Sequence, residues 1–469
     1  MSNDKRWAFF YFLSAASVFF YVAYRAFNLS LTHDESLSYS IVWGNKEYAE
    51  DANNHLLNTA LMTFLVKKWG DAEWILRLPN VLSFIIYAFF SFKIVQKLPS
   101  NALKIGSYSL ILLNPFILDF FSLARGYGIS LGMMTASIYF LLKIADNYKS
   151  IFYNVAFAFF SIGAVYANFT LLIFYLAAMT IWGSIWLYHQ KLKILISPIP
   201  LSILAFHGYN LYFLLKFLFF LKEKGKLYAG GKSLMEGIVE SNITCLLYDE
   251  NLLFKPLENT LIYIAIGIFF IAFVAALLKI FLSDFKVVLA ILLAICLIIP
   301  FLQNHFLDIL YPLERTATFY YVLWVLCLSF LSFKNEILQK VHLFGVTVLS
   351  VFVFVNFIKT ANLHYSHSWK YDTNTKDMMQ SLKYFKDNQQ LSDSTKMTVY
   401  WLQYPASNVY YRPKYAYSWL TISQFDAEKI QKDDLFYLPE DIANSVFFKE
   451  NYHLLKHYPD TKTVLLKKK

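Results

Sequence analysis

A bundle of about eleven membrane-spanning helices, with external loop helices and a small α/β domain after it, is the fold class this sequence predicts. Three observations predict it. The 469 residues are 57% hydrophobic and 19% aromatic but only 16% charged, too apolar for a water-soluble chain of this length. Charge-poor runs of roughly 17 to 25 residues, the length that crosses a bilayer, recur through the first three quarters of the chain. Beyond position 359 the composition turns to Asp, Asn, Ser, Thr, Lys and Tyr, which marks a domain outside the lipid.

Taken in order, the apolar runs are 7–27, 78–95, 105–123, 129–142, 151–166, 171–188, 194–215, 261–278, 287–302, 319–333 and 341–357. The fourth is short, and 56–66 is a candidate partial span. The first is long, rich in Phe and Tyr, and lacks a small-residue cleavage site, so it reads as a retained anchor. With a cytoplasmic N-terminus, every inside loop is basic, carrying Lys5 and Arg6, Lys97 and Lys104, Lys143 and Lys149, Lys191 and Lys193, Lys279 and Lys286, and Lys334 and Lys340. That is the positive-inside pattern, and an odd number of spans then puts the C-terminus outside. The external segments are 28–77, 216–260 and 359–469. In the last, 397–402, 415–420, 434–438 and 463–466 read as short strands and 375–388 as a helix. The predicted division is a transmembrane domain over 1–358 and an extracytoplasmic α/β domain over 359–469.

The net charge of +10 is accounted for by loops meeting anionic head groups and by the three terminal lysines, so membrane lipids are partners and nucleic acid is not needed. Cys245, Cys296 and Cys327 offer neither a disulfide framework nor metal-ligand spacing.

Ionisable residues near a membrane are costly to keep and mark functional sites. With this topology they gather at external helix ends, which suggests one site. Asp34 and Glu35 follow the first span directly. Thr32-x-x-Glu35 is a capping box, which gives Glu35 a structural duty. Asp34, in the same first turn, has no such duty; a helix N-terminus keeps it ionised and able to accept a proton from a hydroxyl. Asn53 or Asn54 reads as the N-cap of an amphipathic surface helix whose apolar face is Leu56, Ala60, Leu61, Phe64 and Leu65. His55 on its first turn, with His33 and the two acids, offers divalent-ion ligand types without a spacing motif. Arg77 and Arg125 end spans on the external side, where arginine either snorkels or forks onto phosphate. Gly126 and Gly128 serve a close ligand approach or a tight turn. Lys222, Lys224, Lys226 and Lys232 form a charge run that reads as solvated.

The order Asp34-Glu35, Asn54-His55-Leu56-Leu57, Arg77-Leu78-Pro79, Asn114-Pro115-Phe116 and Ala124-Arg125-Gly126-Tyr127 resembles the GT-C superfamily of membrane glycosyltransferases, which contains protein O-mannosyltransferases and aminoarabinose transferases. A weaker echo is Tyr311-Pro312-Leu313-Glu314-Arg315, where relatives often carry Arg-Tyr and this chain has Thr316. Relatives also usually show His-Pro-Pro-Leu, whose prolines are absent after His55. The resemblance implies inverting transfer from a polyprenyl-phosphate sugar to a glycan, lipid or protein acceptor. It implies Asp34 and Glu35 as the catalytic pair, with Asp34 the base, and His33, Asn54, His55, Arg77, Arg125, Tyr127 and Arg315 as substrate contacts.

The residues fit that chemistry independently. A lipid-phosphate donor carries its own leaving group, so no Gly-rich nucleotide loop is required, and none is present. The needs are a base, cations for the released phosphate, and an apolar groove. The competing reading is a secondary transporter or flippase of a lipid-linked or small polar substrate. It calls for ionisable residues or broken helices at the bilayer midplane, whereas here mid-span positions are almost free of charge. A third reading, a non-catalytic scaffold, would use the tail's aromatics as a partner surface.

Overall fold

A computed structural model describes residues 3–191, 197–227, 229–248, 255–278, 285–430 and 432–469. Ile194, Lys193 and Lys279 lie outside the described residues. The chain divides into two compact units.

The first unit comprises Met1–Ala23, Glu50–Leu61 and Arg77–Ala361, and is helical. Among the described residues seven helices are long and apolar enough to cross a membrane, including Glu73–Val95, Tyr127–Asp146 and Glu336–Thr360, and the pair Asn101–Leu112 and Pro115–Phe121, bent by 59°, forms an eighth if taken as one span. Ile151–Ala167, Glu258–Ile268 and Thr318–Phe330 are apolar but shorter. Among the described residues this gives seven spans, or eight with the bent pair, fewer than the eleven expected. The bend has a local cause: Asn114 caps the second helix by accepting from the amides of Phe116 and Ile117, with Pro115 at its first position, where proline needs no donor. Phe12 and Phe20 on the first span stay about 70% exposed, as lipid-facing side chains do. The chain is an integral membrane protein.

The helix Leu56–Trp69 turns much of its expected apolar face outward, as a helix lying along a membrane surface does. Leu56 and Phe64 are exposed, whereas Asn58 and Met62 are fully buried. Hydrogen bonding decides this, because Asn58 donates to the Ala124 carbonyl (2.9 Å) and accepts from Asn80 (2.7 Å), and buried amides need such partners.

The second unit comprises Tyr24–Ala49, Met62–Leu76 and Asn362–Lys469. Its sheet has the order β2-β1-β3-β5-β4. β1 (Thr395–Val399) runs parallel to β2 (Leu420–Gln424) and β3 (Leu435–Pro439), while β5 (Thr463–Lys468) pairs antiparallel with β3 and with β4 (Tyr452–Tyr458). Phe436, Leu438, Phe448, Tyr452, Val464 and Leu466 make its core, and the helix Thr375–Asp387 falls where the sequence predicts one. Two strand expectations need correction. Only Leu420 of the run 415–420 belongs to a strand, β2; before it Tyr415 stacks on Tyr411 and Tyr417 meets Trp419 in a tilted contact. β4 went unpredicted because its His453, Lys456 and His457 read as loop, yet charge on an edge strand is a common protection against pairing with other chains.

Candidate active site

The acid helix His33–Val42, in the second unit, is built as the sequence demands. The Thr32 hydroxyl accepts from the Glu35 amide (3.3 Å), and Glu35 Oε2 accepts from the Thr32 amide (2.9 Å). A cap of this kind is worth about 1 kcal/mol. Glu35 is fully buried and Asp34 is 6% exposed, so the pair lies within the protein and not on a solvated loop. Ser38 donates to the Asp34 carbonyl and Ser36 to the Thr32 carbonyl, which closes the hydroxyl bonds inside the helix.

The rest of this unit holds the helix from several sides. The His33 amide donates to Asp372 Oδ2 at 2.6 Å, and His33 Nδ1 to the Leu402 carbonyl at 2.7 Å. The second bond requires the proton on Nδ1, because a carbonyl only accepts. The Leu31 amide donates to the Tyr411 hydroxyl at 2.7 Å, and Tyr411 belongs to a single π-helical turn, Ala406–Tyr411, a distortion often found at functional sites. Tyr39 donates to Asp71 (2.8 Å), whose other oxygen takes Lys414. Burial alone would raise the Asp71 carboxyl, but the bonds from Lys414 and Tyr39 outweigh it and hold the group below the usual carboxylate value. Burial, followed by the Asp71 contact, pushes Tyr39 up to about 12. Asp372 behaves oppositely: it is 1% exposed, and burial, then the nearby charges of Asp34 and Glu35, push its carboxyl well above the usual range despite the His33 amide.

The remaining expected site residues lie in the first unit. Arg77 and Arg125 are 0% and 1% exposed, so neither is a snorkelling anchor. Arg125 donates to the Asn53 carbonyl (3.0 Å) and side-chain oxygen, and its guanidinium lies 6.0 Å from the Tyr127 ring centre. His55 donates from Nδ1 to the Ala167 carbonyl (2.8 Å) and meets Tyr127 edge to face at 4.5 Å. Asn54 accepts from Thr59 (3.0 Å). Just ahead of the helix, which begins at Leu56, Asn53 serves Arg125 and Asn54 serves Thr59. A Cβ on Gly126 would lie 1.9 Å from the Ala167 carbonyl oxygen and one on Gly128 2.7 Å from that of Phe120, so these glycines let backbones pack and do not open space for a ligand.

Asn53, Asn54, His55, Arg125 and Tyr127 thus form one cluster, with Asn58 and Asn80 beside Ala124. Asp119 takes the Tyr248 hydroxyl on both oxygens (3.0 and 2.9 Å). Arg315 sits on the 3-10 turn Glu314–Thr316, half-buried, and Thr316 closes that turn by accepting from the Leu313 amide at 2.8 Å. From the lysine run, Lys226 donates to the Glu50 carbonyl at 3.0 Å and is a structural tie. Among the described residues no three His, Cys, Asp or Glu side chains are placed to share a metal ion.

Sequence reasoning missed Asp372, Tyr411, Asp71 and Lys414. Asp372 is separated from His33 by 339 positions, and nothing in its local sequence sets it apart from other tail acids.

No protein-family description matches the sequence, and no curated protein does. Solved structures do. A crystal structure of ArnT from Cupriavidus metallidurans in the apo state superposes with a TM-score of 0.54 at 12% identity, covering 99% of this chain and 98% of that one. A second, of the same protein bound to undecaprenyl phosphate, gives 0.54 and 12% over 98% and 97%. From end to end, this chain has an ArnT-like fold.

Proposed function

We propose that this chain is a glycosyltransferase that moves a sugar from a polyprenyl-phosphate donor to a hydroxyl of a glycan, lipid or protein on the outer side of a bacterial inner membrane. The observation that carries the reading is Asp34, a buried carboxylate in the first turn of a capped helix held by neighbouring segments of its own unit. The bound undecaprenyl phosphate of the ArnT structure supports the donor class.

In this scheme Asp34 takes the acceptor's proton as the acceptor oxygen attacks the anomeric carbon. The bond from that carbon to the phosphate oxygen breaks, the centre inverts, and the polyprenyl phosphate leaves with the bonding pair. Glu35 maintains the helix turn. Arg77 and Arg125 balance the leaving charge through forked hydrogen bonds, and His33, Asn54, His55, Tyr127 and Arg315 orient the two substrates. Residues 1–358 form the transmembrane domain and 359–469 the extracytoplasmic one, with the N-terminus cytoplasmic.

The test is transfer by the purified full chain in nanodiscs, supplied with radiolabelled undecaprenyl-phosphate-linked arabinose, aminoarabinose or mannose and cell-envelope fractions. Expected is label in one fraction with release of undecaprenyl phosphate, and a loss of about 100-fold or more in Asp34→Asn, the scale of a missing general base. Solute uptake by proteoliposomes with no transfer from any donor would assign the chain to the transporters instead.

A further inference from the structure

We infer that Asp372 is a positioning residue for the transfer step, fixing from the tail the helix turn that carries Asp34; this rests on the reading of Asp34 as the base. The first turn of a helix leaves amides without intrahelical partners, and here two carboxyl groups meet them from opposite ends of the sequence. Glu35 takes the Thr32 amide at 2.9 Å and Asp372 takes the His33 amide at 2.6 Å. Asp34 is the next residue, so the direction of its side chain follows from how these amides are held.

Asp372 is itself braced. It ends a 3-10 segment, His367–Asp372, Gln403 donates to the preceding Tyr371 carbonyl at 2.9 Å, and Thr375 approaches its second oxygen at 3.5 Å. It also lines a narrow cleft with Ser30, Thr32, Ser366 and Trp369. A bond of 2.6 Å to a carboxyl that is 1% exposed holds this amide in place, and its loss frees the turn to shift. A displacement of about 1 Å at a reacting group is enough to cost about 100-fold in rate. Because burial, with Asp34 and Glu35 nearby, favours the protonated form of Asp372, a neutral amide side chain is a fair substitute.

The experiment compares Asp372→Ala with Asp372→Asn in the full chain. Hydrogen–deuterium exchange over 31–39 comes first, because it does not depend on any activity. Expected is at least tenfold faster exchange at the first turn in the alanine variant, with β1 and β3 unchanged, and restoration by asparagine, which keeps an oxygen for the His33 amide. In the transfer assay alanine lowers kcat at least tenfold with KM within twofold, and asparagine recovers most of the loss. Unchanged exchange in Asp372→Ala, or asparagine as damaging as alanine, overturns the inference. If no donor is turned over by the unsubstituted protein, the proposed function falls while the exchange result still decides the role of Asp372 in holding the turn. Should the alanine variant not accumulate, Asp372→Ser, too short to reach the amide, takes its place under the same criteria.

Discussion

At the scale of single residues, two adjacent carboxylates are proposed to divide the work. Glu35 spends both ends of its side chain and backbone on the cap, so Glu35→Gln, which keeps an acceptor, is expected to cost about 1 kcal/mol of stability and less rate than Asp34→Asn. Purified variants measured with one donor and one acceptor check this; a dead, well-folded Glu35→Gln beside an active Asp34→Asn would exchange the roles. Arg77 and Arg125 are buried with their charge, which an interfacial anchor has no reason to be. Arg77→Ala and Arg125→Ala are each expected to weaken donor use by about 2 kcal/mol, and lysine to rescue only in part because it lacks the fork. Titrating each variant with undecaprenyl phosphate measures it. The capping box was legible because its signal is local. Asp372 was not, because a carboxyl that caps a helix 339 positions away carries no local mark.

At the scale of elements, the acid helix is fixed at its far end by Tyr39, Asp71 and Lys414. Asp71 is held below the usual carboxylate value, so its contribution to stability is present above the unfolded value of 3.8 and is lost as pH falls through the folded one. Lys414→Met is therefore expected to destabilise the chain by about 1 kcal/mol at neutral pH, and the difference from the unsubstituted protein to shrink only as pH falls below 3.8 and through the lower folded value. Thermal unfolding of both proteins at neutral pH and along an acid series starting at 3.8 tests the sign. The elements show where local pattern misleads. Aromatic residues at 415–420 read as a strand by propensity, but Tyr415 stacks on Tyr411 of the π-helical turn and Tyr417 packs on Trp419 instead. Length and composition found the apolar helices, though not the number that span, since apolar runs are set by the lipid and not by tertiary detail.

At the scale of the whole molecule, the basic bias of alternate loops predicts that 359–469 lies outside the cytoplasm. A single Ser392→Cys, exposed at the end of the segment before β1, is expected to react with a membrane-impermeant maleimide added to intact spheroplasts. Reaction only after the inner membrane is permeabilised would reverse the topology. The division into two units could not have been read from the sequence, because one of them gathers Tyr24–Ala49, Met62–Leu76 and the tail, segments that only folding brings together.

The bond from His33 to Asp372 also has a consequence in time. Ribosomes add about 5–20 residues per second, so the 339 positions between the partners correspond to about 17–70 s of synthesis. During that interval the early spans are threaded into the bilayer while the acid helix still waits for its partner. A nascent chain arrested anywhere before the tail holds its acidic pair without the clamp, and maturation of this protein is therefore a late event, completed only when the ribosome has almost finished.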